Sequence, residues 1–139
     1  MDHGDNQENH LSLRRVLLVE DDPALAELAQ RVLERAGFSV RLTGDGLLAL
    51  EALAAEPLPD LVLLDVMLPK IDGFEVLKRI RADPRTRPLP VIMLTNFSRD
   101  ADAARGHELG ADDYIIKPLM EADFLRRVAK LTRSRSEGK

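Results

Sequence analysis

Short apolar runs of strand length alternate along this chain with segments of helical period, and that alternation leaves few architectures open. Val16-Leu17-Leu18-Val19, Leu61-Val62-Leu63-Leu64 and Val91-Ile92-Met93-Leu94 contain no polar residue. A strand with one wet face alternates apolar and polar side chains, whereas an uninterrupted apolar strand is covered on both faces, as in a parallel sheet. The pattern predicts strands at Arg15–Glu20, Ser39–Thr43, Leu61–Asp65, Val91–Thr95 and Asp113–Ile116. Between them, Leu25, Leu28, Ala29, Val32, Leu33 and Ala36 form one helical stripe, with Asp22 suited to cap it, Pro23 to open it and Gly37 to end it. A second helix is expected over Leu47–Ala55, stopped by Pro57. A third carries Phe74, Leu77 and Ile80, and a last one Phe124, Leu125, Val128 and Leu131. Arg99–Leu109 makes a poorer helix, with an alanine face and Gly106 inside it, and is expected to be a locally weak element.

Repeated β-α units imply a parallel sheet flanked by helices on both sides, with right-handed crossovers that bring the carboxyl ends of all strands to one edge. Ligands of open sheets bind along that edge. Here the edge gathers Glu20, Asp21, Asp65, Thr95 and Lys117 from distant parts of the chain. Acids at strand ends singly are ordinary loop caps, and Asp22 is read as one. Several held together repel and lose hydration, a cost that a hard divalent cation such as Mg²⁺ relieves through oxygen ligands. Asp65 is then the candidate nucleophile, since a carboxylate can attack phosphorus to give an acyl phosphate. Glu20 and Asp21 are placed to hold the metal, Thr95 to bond a phosphoryl oxygen, and Lys117 to pair with Asp65 or with the phosphoryl group.

Composition narrows the alternatives. The chain has 139 residues, enough for one domain with a real core, and 45% of them are hydrophobic. No apolar run approaches the roughly 20 residues of a membrane-spanning helix, and Met1–His10 has no signal-peptide pattern. The absence of cysteine removes disulfides, thiolate metal sites and thiol nucleophiles. A net charge of −4, with 20 basic residues scattered among 24 acidic ones, argues against direct nucleic-acid binding by this chain. The expectation is a cytoplasmic protein with disordered residues 1–13, a folded domain over 14–131 and a flexible tail over 132–139.

The motifs Val-Glu-Asp-Asp at 19–22, Leu-Leu-Asp-Val-Met-Leu-Pro at 63–69, Asp-Gly at 72–73, Met-Leu-Thr at 93–95 and Gly-Ala-Asp-Asp-Tyr-Ile-Ile-Lys-Pro at 110–118 resemble the receiver domain of two-component response regulators. The resemblance covers Arg14 to Leu131. It implies a CheY-like, flavodoxin-like (βα)5 sandwich with strand order 2-1-3-4-5. It further implies Asp65 as phosphoacceptor, with Glu20, Asp21, Asp65 and the main-chain carbonyl of Met67 as Mg²⁺ ligands. Thr95 is implied as the switch hydroxyl, Lys117 as the phosphate-pairing lysine, and Tyr114 as the aromatic that turns inward on phosphorylation. The Lys117–Pro118 bond is cis in that family. The implied partner is a sensor histidine kinase or phosphotransfer protein, and the implied response is a repacking of the face built by the Arg99–Leu109 segment, the fifth strand and the last helix, through which a homodimer can form. No enzymatic turnover is implied beyond self-phosphorylation and slow self-dephosphorylation. Two positions depart from the common pattern: Asn96 stands where a small residue is usual, and Met67 and Phe97 stand where rapidly hydrolysing members carry polar groups.

Two other chemistries fit less well. A Mg²⁺ phosphatase of the haloacid dehalogenase type needs an acid two residues after its nucleophile, where this chain has Met67. A flavodoxin-like FMN site needs N–H donors after the first strand, where this chain has three carboxylates. Output is expected either from a stand-alone receiver or from a longer regulator, and residues 110–118 lean toward receivers joined to DNA-binding domains.

Overall fold

Residues Arg14–Val19 form β1, Pro23–Arg35 α1, Phe38–Thr43 β2, Gly46–Leu53 α2, Leu61–Asp65 β3, Gly73–Ala82 α3, Val91–Thr95 β4, Asp113–Ile116 β5 and Glu121–Glu137 α4. The computed structural model describes residues 14–96 and 108–137, with side chains as far as Arg133. The expected lead-in over 1–13 lies outside the described residues, as does the predicted weak helix except at its end, where residues 108 and 109 are helical. All strand pairs are parallel and the order is β2-β1-β3-β4-β5, the arrangement the resemblance implies.

Alternation along the strands divides the interior in two. Leu17, Val19, Val62, Leu64, Val91 and Met93 pack toward α2 and α3, meeting Ala49, Leu53, Phe74, Val76, Leu77 and Ile80. Val16, Leu18, Leu61, Leu63, Ile92 and Leu94 pack toward α1 and α4, meeting Ala29, Leu33, Phe124 and Val128. Every residue of β3 and β4 is buried, which explains their unbroken apolar sequences. Phe74, Leu77 and Ile80 face the core as expected. On α1 the buried stripe is Ala26, Ala29, Val32 and Leu33, while Leu28 is 47% exposed. The buried face of α1 is rotated toward Ala26, which leaves Leu28 on the solvent side.

Helix starts are set by aspartates. Asp22 accepts from the Ala24 N–H at 3.1 Å, Asp45 from Leu48 at 2.8 Å and Asp72 from Glu75 at 2.9 Å. The end of α2, with no basic residue in its own last turn, is capped from elsewhere: Arg85 donates to the carbonyls of Leu53 and Ala55. Arg81 does similar work near β5, donating to Gly110 O at 2.9 Å, Leu89 O at 2.6 Å and Asp112 Oδ2 at 2.9 Å. The last helix continues to Glu137 instead of ending near Leu131. Thr132, expected in a flexible tail, is buried and its hydroxyl donates to Val128 O at 2.9 Å. A threonine that satisfies its hydroxyl on the preceding turn can be buried without leaving that hydroxyl unpaired, so its polarity does not mark a helix end.

Gly73 opens α3 directly against the end of β3. Its N–H donates to Val66 O at 2.8 Å, and a Cβ there would stand 2.1 Å from Asp65 O. Gly73→Ala therefore forces β3 and α3 apart at Asp65. It is expected to lower stability by about 2 kcal/mol, read from the urea midpoint, and an unchanged midpoint would contradict this packing.

Candidate functional site

The carboxyl edge of the sheet collects the charged groups. Asp65 is the last residue of β3 and Thr95 the last of β4, both buried, and Glu20 follows β1 with only 3% exposure. The Glu20 N–H donates to Thr43 O at 3.0 Å, continuing the β1–β2 ladder one step past the strand that the sequence placed through Glu20 itself. Asp21 is exposed at the rim. Lys117 follows β5, and its Nζ donates to Asp65 Oδ2 at 2.9 Å and stands 3.1 Å from Glu20 Oε1. Carboxylate oxygens of Glu20, Asp21 and Asp65 lie within 4.8 Å of one another.

Local backbone geometry fixes these side chains. Asp65 Oδ1 accepts from the Met67 N–H at 3.0 Å, and Glu20 Oε2 accepts from the Asp22 N–H at 3.1 Å. Both are side-chain bonds to the peptide two residues on, a habit of acids entering loops. They leave each carboxylate one oxygen directed toward Lys117. The Met67 N–H was not foreseen as a contact of Asp65, although an acid leading into a loop was its signal. Burial, and next its contact with the Asp65 carboxylate, push the Glu20 carboxyl up to about 7, against the pull of the Asp22 N–H and the Lys117 charge. Burial would lower Lys117, but its bond to Asp65 and the fields of both acids hold it above its ordinary value.

A cleft of about 650 Å³ opens over this group and runs past Met67 to Asn96 and Asp72. Met67 is 56% exposed at its wall. Phe97, named with it from the sequence, lies outside the described residues. Tyr114 is half-buried on β5, opposite Met93 of β4, and packs against the core cluster beneath α2 and α3. The Lys117–Pro118 peptide is cis, as is Glu56–Pro57.

The response regulator receiver domain family matches residues 16–129 of the sequence. The chain belongs to that family. Among receiver-containing proteins, it is 45% identical over 119 residues to the DNA-binding dual master transcriptional regulator RpaA of Synechocystis sp., an alignment covering 86% of this chain and 49% of that protein. It is 44% identical over 125 residues to the DNA-binding response regulator MtrA of Mycolicibacterium smegmatis, covering 89% and 53%. The chain thus spans about half the length of these curated relatives. Its fold superposes on the CheY-like receiver domain protein of Methanospirillum hungatei with a TM-score of 0.82 at 28% identity, over 92% of this chain and 100% of that one. The receiver domain of sensor histidine kinase PA1611 from Pseudomonas aeruginosa, which has a magnesium ion coordinated in its active site cleft, superposes with a TM-score of 0.81 at 31% identity, over 88% and 100%.

The acidic cluster of this receiver domain matches a Mg²⁺ site in kind. Its donors are all oxygens, and among the described residues the buried Glu20 Oε1 is met by the Lys117 ammonium alone, at 3.1 Å. Among the described residues no helix is long and apolar enough to cross a membrane.

The Glu20 shift has a consequence for stability. Its folded value of about 7 lies above the ordinary 4.5, so between these the folded protein keeps a proton that the unfolded chain releases. Metal-free protein is therefore expected to lose stability as pH rises from about 4.5 through about 7 and to level off above that. Urea midpoints measured across this range in chelator are expected to fall, and Glu20→Gln is expected to flatten the slope; an equal slope in the variant would contradict the assignment.

Proposed function

We propose that this receiver domain is a phosphorylation-activated switch that accepts a phosphoryl group on Asp65 from a sensor histidine kinase or a phosphotransfer protein. What supports the reading is the Asp65–Lys117–Glu20 constellation with Asp21 at its rim, at 2.9 and 3.1 Å about one lysine. Glu20, Asp21, Asp65 and the Met67 carbonyl would hold Mg²⁺, which when bound neutralises charge on the transferring phosphoryl group and orients it. A carboxylate oxygen of Asp65 attacks phosphorus, the P–N bond to the donor imidazole breaks, and the imidazole keeps the electron pair. Lys117 passes from the free carboxylate to a phosphoryl oxygen, so its charge stays paired throughout. The Thr95 hydroxyl donates to another phosphoryl oxygen.

With Thr95 drawn toward the phosphoryl group, Tyr114 moves into the space released. The face that carries β5 and α4 then repacks, altering how it binds partners, a second copy of the chain included. RpaA and MtrA are DNA-binding regulators, and this chain aligns with about half of each. That favours output through an attached domain, while the acidic balance of this chain keeps nucleic-acid contact off the receiver itself.

The decisive variant is Asp65→Asn. With radiolabelled phosphoramidate and Mg²⁺, wild type is expected to take up label and the variant none; equal labelling refutes the assignment.

Self-dephosphorylation is expected to be slow, because Met67 offers an attacking water no hydrogen bond at the cleft wall. The labelled protein should hold its phosphate for minutes or longer, and Met67→Asn should shorten that lifetime severalfold. Loss from wild type within seconds overturns this part of the reading.

A further inference from the structure

At the other end of the sheet from Asp65, a cleft of about 220 Å³ opens beside β1 and β2, walled by Ala52, Pro57 and Pro59. Arg15 pairs with Ser39, and Leu17 with Arg41. Residues two apart on a strand share a face, and Leu17 belongs to the core beneath α2 and α3. Arg15, Ser39 and Arg41 therefore stand on that same face, and all three line the cleft. Two arginines and a serine thus line one small hollow together with Ala52, Pro57 and Pro59.

Neither arginine side chain there is paired with an acid among the described residues. Of the acids that flank the proline wall, Asp60 turns Oδ2 to the main-chain N–H of Arg15 at 2.8 Å instead of to its guanidinium, and Glu56 pairs with Arg85 at 2.9 Å. Among the described residues neither the Arg15 nor the Arg41 guanidinium has a hydrogen-bond or ion-pair partner. Arg31, Arg79, Arg81 and Arg85, by contrast, all have one. Like charges set diagonally on neighbouring strands repel, and an anion between them removes the repulsion. In a chain of net charge −4 this is a local positive concavity.

We propose that this cleft is a second anion site, separate from the phosphoryl site, and that it takes a small organic carboxylate with a short apolar or aromatic body. Guanidinium forks suit the planar carboxylate, and Ser39 adds a donor. The body rests on Ala52, Pro57 and Pro59, displacing water from surfaces that make no use of it. The hollow is smaller than the roughly 300–1,000 Å³ that drug-sized ligands occupy, which limits the guest to about the size of one ring. Free phosphate has no apolar part to exploit the proline wall. The site depends on neither Asp65 nor its modification.

The probe is benzoate, titrated into ¹⁵N-labelled protein while amide shifts are followed. Saturable shifts at Ser39, Val40 and Arg41 are expected, with acetate, inorganic phosphate and benzyl alcohol each at least tenfold weaker. Arg15→Gln and Arg41→Gln should each weaken benzoate by about tenfold or more, as loss of a charged hydrogen bond does. Both side chains are exposed, so both variants should fold, which their amide spectra will show. Asp65→Asn should bind benzoate like wild type, so a failure here and a failure of the phosphoryl reading are distinguishable. Absence of saturable shifts on β2, equal affinity in both arginine variants, or phosphate binding as tightly as benzoate would each overturn the proposal.

Discussion

Lys117 stands between two carboxylates that water cannot fully reach, 2.9 Å from Asp65 and 3.1 Å from Glu20, while Asp21 adds a third from the rim. One ammonium facing three acids leaves the end of the sheet underneutralised, and burial makes that imbalance costly. Glu20 registers the cost most plainly, holding its proton until about pH 7. A divalent cation held by these oxygens would offset the imbalance. In the proposed phosphoryl transfer the same lysine would neutralise the acid at rest and a phosphoryl oxygen afterwards.

The rest of the fold serves to keep that cluster together. Glu20, Asp65, Thr95 and Lys117 reach one edge because the strands they end or follow all run parallel. Gly73 lets α3 touch the backbone of Asp65, and the Met67 N–H fixes one carboxylate oxygen so that the other meets Lys117. Buried β3 and β4 are the rigid centre. Arg81 ties the turn at Gly110 and Asp112 to α3, which anchors the entry of β5 while its exit carries Lys117.

Much of this was legible in the residues alone. Unbroken apolar runs gave away the strands covered on both faces, and the acids and lysine that end them marked the site, since topology converts strand ends into neighbours. Helix caps at Asp22, Asp45 and Asp72 are local chemistry, and Asp22 was readable as one. What escaped depends on distance in sequence. Nothing near Arg85 or Arg81 signals that each caps backbone carbonyls about thirty residues away. The burial of Thr132 and the exposure of Leu28 are set by how closely helices approach the sheet, which periodicity does not encode. The arginine-lined cleft arises from strands and a proline-rich loop that converge only once folded.

The position at which phosphate becomes attached tests the proposed phosphoacceptor most directly. Protein treated with phosphoramidate and Mg²⁺ can be reduced with borohydride, which converts an aspartyl phosphate to homoserine, and then mapped by peptide mass spectrometry. Homoserine at position 65 alone, and only when Mg²⁺ was present, is the result expected. Modification at another acid, or an intact Asp65 in protein that carries phosphate, would contradict it.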